Sequence, residues 1–123
     1  MLPASFIEAL RNQDELIVGS REAGRVRSVR AWYVLAPDGS IYLFTYSFAL
    51  RAARWRQDPW VRLTVPGGPS VEGTAHFVNT DELDGTITPL IMERWWMWGA
   101  TTEEGLRRML RDQSHVLVRV EVP

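Results

Sequence analysis

This chain contains no cysteine and no lysine. The first absence removes disulfides, thiolate nucleophiles and thiolate metal sites. The second removes Schiff-base chemistry and the lysine of a phosphate-binding P-loop. All fourteen basic side chains are therefore arginine. Histidine is scarce: His76 and His115 each stand alone in an alternating, strand-like run, with no second histidine or carboxylate at ligand spacing. Structural roles are expected for both. No apolar run approaches the length of a membrane-spanning helix, and "MLPASFIEALRNQDEL" lacks the charged start and apolar stretch of a secretory leader. An unprocessed cytoplasmic chain without a membrane partner is the expectation. The formal net charge is −1, so no global field draws nucleic acid, and any anion site must be local.

What remains is an ordinary globular composition, 46% hydrophobic and 24% charged over 123 residues. That length suits one core rather than two, so a single domain over 1–123 is expected. The opening "PASFIEALRNQ" offers a Ser5-x-x-Glu8 capping box with Phe6, Ile7 and Leu10 at helical spacing. "ELIVGS" and "RVRSVRAWYVLA" read as strands joined through "REAG", and "PDGS" turns the chain into the strand "IYLFTYS". "FALRAARWRQD" reads as a helix beginning near Phe48 and stopped at Asp58-Pro59. "WVRLTV" and "SVEGTAHFV" alternate around "PGGP", which places Val71, Gly73, Ala75 and Phe77 on one face. From Asp81 helices return, with Thr101 and Glu104 as a second capping box, and "HVLVRVEV" closes the chain as a strand. The whole is mainly β with helical insertions, about six strands, in keeping with a small barrel.

One stretch concentrates chemistry. In "FTYSFALRAARWRQDPWVRLTV", Thr45 and Ser47 fall on the same side of a strand end by the two-residue period, and Arg51 and Arg54 follow three residues apart on the helix. Hydroxyls, guanidinium forks and a helix N-terminus are what a phosphate group needs. The same arginines could equally do no more than solvate a helix face.

The order and spacing of three segments, "GRVRSVRAWYV", "GSIYLFTYSFALRAARWRQDPWVRLTV" and "VEGTAHFV", resemble the pyridoxamine-5'-phosphate-oxidase-like superfamily over Leu16 to Val78. Gly24-Arg25 leading to Trp32-Tyr33 resembles the F420-dependent branch. Thr45, Ser47, Arg51 and Pro59 take the places of the family's Thr, Ser, basic residue and Pro, with arginine in place of the usual lysine. Gly73 matches the glycine that allows close strand packing. The resemblance implies an FMN-binding-like split β-barrel that works as a homodimer on FMN or F420. It also implies hydride transfer to or from a small organic substrate, the cofactor supplying the redox chemistry. The chain has neither the oxidase's lysine near Trp32 nor its C-terminal arginine and tryptophan motif, so true pyridoxamine-phosphate oxidase activity is not expected. A flavin or haem carrier or sensor without turnover is the alternative.

The resemblance implies Arg51 as the phosphate contact, with Arg54 beside it and Arg56 on the surface, and Trp32 beside the ring system. Arg25 and Arg27 share one strand face, while Val26, Ser28 and Arg30 share the other. Arg25 or Arg27 either faces the cofactor's phosphate arm or pairs across strands with a carboxylate such as Glu72. Trp95, Trp96 and Trp98 cannot all face one side of a helix, so at least one is expected to be exposed, at a dimer seam or substrate mouth.

Overall fold

The computed structural model describes all residues from Met1 to Pro123. In chain order the elements are α1 (Ala4–Ala9), β1 (Glu15–Glu22), β2 (Arg25–Trp32), β3 (Val34–Leu35), β4 (Ile41–Tyr46), α2 (Leu50–Gln57), β5 (Trp60–Thr64), β6 (Ser70–Phe77), α3 (Ile87–Trp95), α4 (Glu103–Arg111) and β7 (His115–Glu121). Short 3₁₀ turns occupy Thr80–Glu82 and Trp96–Trp98. The strands form one sheet in the order β2-β1-β5-β6-β7-β4-β3, with every neighbouring pair antiparallel. It curls into the half-barrel expected from the strand pattern. There are seven strands rather than six, because Tyr33 breaks the run after Trp32 and leaves Val34 and Leu35 to pair with β4.

Two apolar clusters hold the sheet. Inside the curl, Phe6 of α1 and Trp55 of α2 pack with Leu16, Val18, Leu43, Leu63 and Val118. On the other side of β4 and β7, helices α3 and α4 bring Ile91, Trp95 and Leu106 against Tyr42, Phe44 and Leu117. Strand β4 therefore sends Ile41 and Leu43 into one cluster and Tyr42 and Phe44 into the other. This two-sided burial is why "IYLF" is a continuous apolar run rather than an alternating one.

Local chemistry explains most boundaries. The β1–β2 hairpin turns on Ala23 and Gly24, both at positive φ, the two-residue geometry that matches strand twist. Gly73 is where β6 meets the end of β7: a Cβ there would lie 2.5 Å from the Glu121 carbonyl oxygen, so only glycine fits without a backbone shift. Helix α2 is built of good formers and stops before Pro59. It starts at Leu50, not near Phe48, because the amides of Ser47 and Ala49 are already bonded to Ser114 and Tyr46 carbonyls. Neither expected capping box forms. Pro3 caps α1 and accepts from Phe6 and Ile7, which puts Ser5 inside the first turn. In α4 the cap is Thr102, whose hydroxyl oxygen accepts from the Gly105 amide at 2.9 Å.

Candidate functional site

The register of the β1–β2 hairpin decides which arginines meet. Leu16, Val18 and Ser20 point into the curl and are buried, and across from them stand Ala31, Val29 and Arg27. Partners directly opposite share a face, so Arg27 emerges on the barrel-interior side just beyond the core, opposite Ser20. Because β2 is the sheet edge, this face is open there. Helix α2 carries Arg51 and Arg54 to the same place. Arg54 donates from Nη1 to the Ser20 hydroxyl at 3.4 Å, while its Nε is buried with no hydrogen-bond partner.

Arg27, Arg51 and Arg54 line one cavity of about 570 Å³ together with Ser28, Val29 and Leu50. Arg51 also lines a smaller one of about 130 Å³ with Trp32, Phe44, Trp98, Arg30 and Glu15. Arg51 is the one residue that lines both cavities of this Arg51 cleft. None of Arg27, Arg51 and Arg54 has a carboxylate within salt-bridge distance. Burial pushes the Arg51 guanidinium below its ordinary value, as expected for a cation stripped of water without a counter-charge. The cross-strand pair considered for Arg25 or Arg27 with Glu72 does not form. Glu72 lies opposite Arg62 and accepts from the Trp60 indole at 3.0 Å.

The small end of the cleft is aromatic. Trp98 stacks on Tyr46 with centroids 5.6 Å apart and planes at 12°, and lies 6.3 Å from Trp32. The three neighbouring indoles divide their roles as helical geometry requires. Trp95 is buried in the core, Trp96 is 60% exposed, and Trp98 faces the cleft. Tyr46 stacks in turn on Phe48, which is 80% exposed.

Of the residues singled out from the sequence, Arg27, Arg51 and Arg54 come together, with Trp32 next to them across Arg51. Arg25 lies beside the hairpin turn opposite Glu22, away from both cavities. Thr45 is buried opposite Val116 on the strand's inward face. Ser47 falls beyond the end of β4 and donates its hydroxyl to the Gln113 carbonyl oxygen, so the two hydroxyls do not share a strand face. Arg56 is exposed, as expected, reaching the Ser47 carbonyl at 3.0 Å and lying over the Phe77 ring. Sequence reasoning missed Ser20 and Ser28, and named Trp98 only within the cluster of three indoles expected at a dimer seam or substrate mouth. A serine in the otherwise apolar inward series Leu16, Val18, Ser20 was the one available signal.

No protein-family model matches the sequence, and no curated protein matches it. Solved structures do match its fold. A candidate pyridoxamine 5'-phosphate oxidase from Listeria innocua superposes with a TM-score of 0.65 at 14% identity, over 95% of this chain and 90% of that one. An FAD-binding protein from Mesorhizobium loti gives 0.61 at 18%, over 99% and 91%. The haem storage protein HutZ of Vibrio cholerae gives 0.65 at 17%, over 96% and 87%. At these identities the likeness speaks of architecture, and the architecture is clear: the chain has the split β-barrel fold of the pyridoxamine-5'-phosphate-oxidase-like proteins.

Proposed function

We propose that this chain binds a phosphorylated flavin or deazaflavin, FMN or F420, in the cleft centred on Arg51 and uses it for hydride transfer with a small organic substrate. The observation that carries the reading is the convergence of Arg27, Arg51 and Arg54 with no carboxylate among their partners. The donor set fits a phosphate: Arg54 Nε is an orphaned buried donor and Arg51 is a desolvated cation. At the aromatic end Trp98 lies 6.3 Å from Trp32 and 6.4 Å from Phe44, which supplies apolar contact for the edge of a ring. Bound there, the ring would supply the redox chemistry, while the arginines fix the phosphate and the indoles exclude water from the ring's edge. The likeness to an FAD-binding protein supports a flavin-type ligand.

Self-association belongs to the same reading. Val26, Val29, Phe48 and Leu50 are exposed apolar residues, three of them on the walls of the Arg51 cleft. A second copy seated there would cover them and close the cleft. Sedimentation should report a dimer, and Leu50→Asp should shift it toward monomer; a wild-type monomer at every concentration overturns this part.

The first test is an absorbance spectrum of the purified protein and parallel fluorescence titrations with FMN and F420. Saturable binding of one, followed by reduction of the bound ring and reoxidation by an added acceptor, supports the enzyme. The second reading, a carrier without turnover, is favoured by the likeness to a haem storage protein. Binding without any reoxidation by acceptors would select it. If neither cofactor binds, the cleft is not a cofactor site.

A further inference from the structure

On the far side of α2 a second cavity, of about 290 Å³, opens between the C-terminal end of α4, the start of β7 and the end of β6. It shares no lining residue with the Arg51 cleft. Strand pairing explains why the space exists. The last β6–β7 bond runs from the Val78 amide to the Leu117 carbonyl oxygen, after which the chain turns away at Thr80–Glu82. The beginning of β7, with Val116, is left without a neighbour on that edge.

The walls are apolar, from Phe77, Leu110, Val116 and Leu117, and no carboxylate contributes. Four polar residues complete the lining: Arg56, Asn79, Gln113 and His115. Arg56 has no acidic partner; one nitrogen is held by the Ser47 carbonyl and the plane lies over Phe77, 5.6 Å from its centre, which leaves the remaining donors free. His115 is buried, its ring stacked on Phe44 at 5.0 Å, and its Nε2 has no hydrogen-bond partner. The Ser114 hydroxyl lies 2.9 Å from His115 Nδ1 and 3.3 Å from the Met109 carbonyl oxygen. When its hydrogen goes to Met109, Nδ1 carries the ring proton and Nε2 is an acceptor. Burial pushes the imidazole below its ordinary value, which keeps the ring neutral at neutral pH.

A buried ring nitrogen left without a hydrogen-bond partner is a costly feature, and here it lines the same cavity as a guanidinium without a counter-ion and an apolar wall. We propose that this cavity is a binding site for a small, mostly apolar carboxylic acid bearing a hydroxyl group: the carboxylate on Arg56, the apolar body against Phe77 and Leu110, and the hydroxyl donated to His115 Nε2. The volume is at the small end of ligand sites and suits a single substituted ring. The two sites share no lining residue and meet only where His115 stacks on Phe44.

The test uses the whole protein and three probes, 3-hydroxybenzoate, 4-hydroxybenzoate and benzoate, followed by calorimetry and by amide-resolved NMR. One hydroxybenzoate should bind at least about tenfold more tightly than benzoate, with shifts at Phe77, Leu110 and Gln113. Arg56→Met, at an exposed position, should weaken it at least about tenfold. His115→Gln should remove the advantage of the hydroxybenzoate over benzoate; should that variant fail to fold, Gln113→Ala still reports on the lining by weakening binding. Arg51→Ala should leave the affinity for all three probes as in wild type. No saturable binding of any probe, equal affinity for all three, or Arg56→Met binding as wild type would overturn the proposal.

Discussion

Ser20 and Arg21 are neighbours on β1 and face opposite sides of the sheet, and the two sides treat arginine in opposite ways. Outside, Arg21 meets Asp58 at 2.5 Å and lies over Trp60, while Arg62 approaches the same ring from 5.8 Å and Glu72 accepts a hydrogen bond from the indole N–H. Arg21 there has both a carboxylate and an aromatic ring. Asp58 holds Arg21 above its ordinary value, and the Arg21 hydrogen bond keeps the Asp58 carboxyl below its own. Inside, Arg27, Arg51 and Arg54 surround one cavity with only a serine hydroxyl between them. Like charges in a shared, partly dry space repel, so the cleft is stabilised by any anion that enters. The outer arginines belong to the fold and the inner ones to a ligand.

The sharpest way to break that distinction is to remove one arginine from each side. Arg51→Ala should weaken FMN or F420 binding by about 1.5–3 kcal/mol, the worth of a charge-assisted contact, with little loss of stability. Arg21→Ala should leave cofactor affinity where it was, since a solvent-exposed pair contributes little and faces away from the cleft. Titrations of the two variants side by side decide it; equal losses, or none in Arg51→Ala, would erase the difference between the two sides.

Gly73 sharpens the comparison from the side of the fold. It sits next to Glu72 on β6, and an added Cβ would press on the Glu121 carbonyl oxygen. Gly73→Ala should cost about 1–3 kcal/mol of stability through overpacking, while the folded fraction binds cofactor as before. Denaturant melts give the first quantity and titration the second. A melt unchanged from wild type would mean that β6 and β7 can part without cost.

Much of this was legible in the sequence, and for reasons that can be named. Alternation gave the hairpins, Asp58-Pro59 gave the end of α2, and the crowd Trp95, Trp96, Trp98 required one indole to be exposed. The spacing of Arg51 and Arg54 placed both on one helix face. What was not legible depended on register. Arg27 and Arg25 are equivalent by alternation, and only the pairing of Arg27 with Ser20, and of Arg25 with Glu22 at the turn, separates them. Ser47 looked like a strand residue because nothing local shows that its hydroxyl will meet Gln113, distant in sequence. The capping boxes failed for a similar reason: the pattern Ser-x-x-Glu fixes no starting residue when a proline two positions earlier already offers its carbonyl.

The smallest expected effect concerns the two carboxylate-free and carboxylate-bound environments as pH falls. Glu82 accepts from the Asn79 amide and from His76, which hold its carboxyl below its ordinary value of 4.5. Its contribution to stability is present above 4.5 and is lost as the pH falls through the lower folded value. His115 has no carboxylate partner, and burial alone pushes it below its ordinary value of 6.5. The unfolded chain therefore takes up a proton at this histidine before the folded chain does, and stability declines as the pH falls below about 6.5. The two windows do not coincide, so a titration of the denaturation midpoint separates them. Wild type should lose stability between pH 7 and 5 in a step that His115→Gln flattens, whereas Glu82→Gln should flatten only the fall below pH 4.5. If His115→Gln keeps the upper step, another group causes it and burial does not lower the His115 imidazole in the fold.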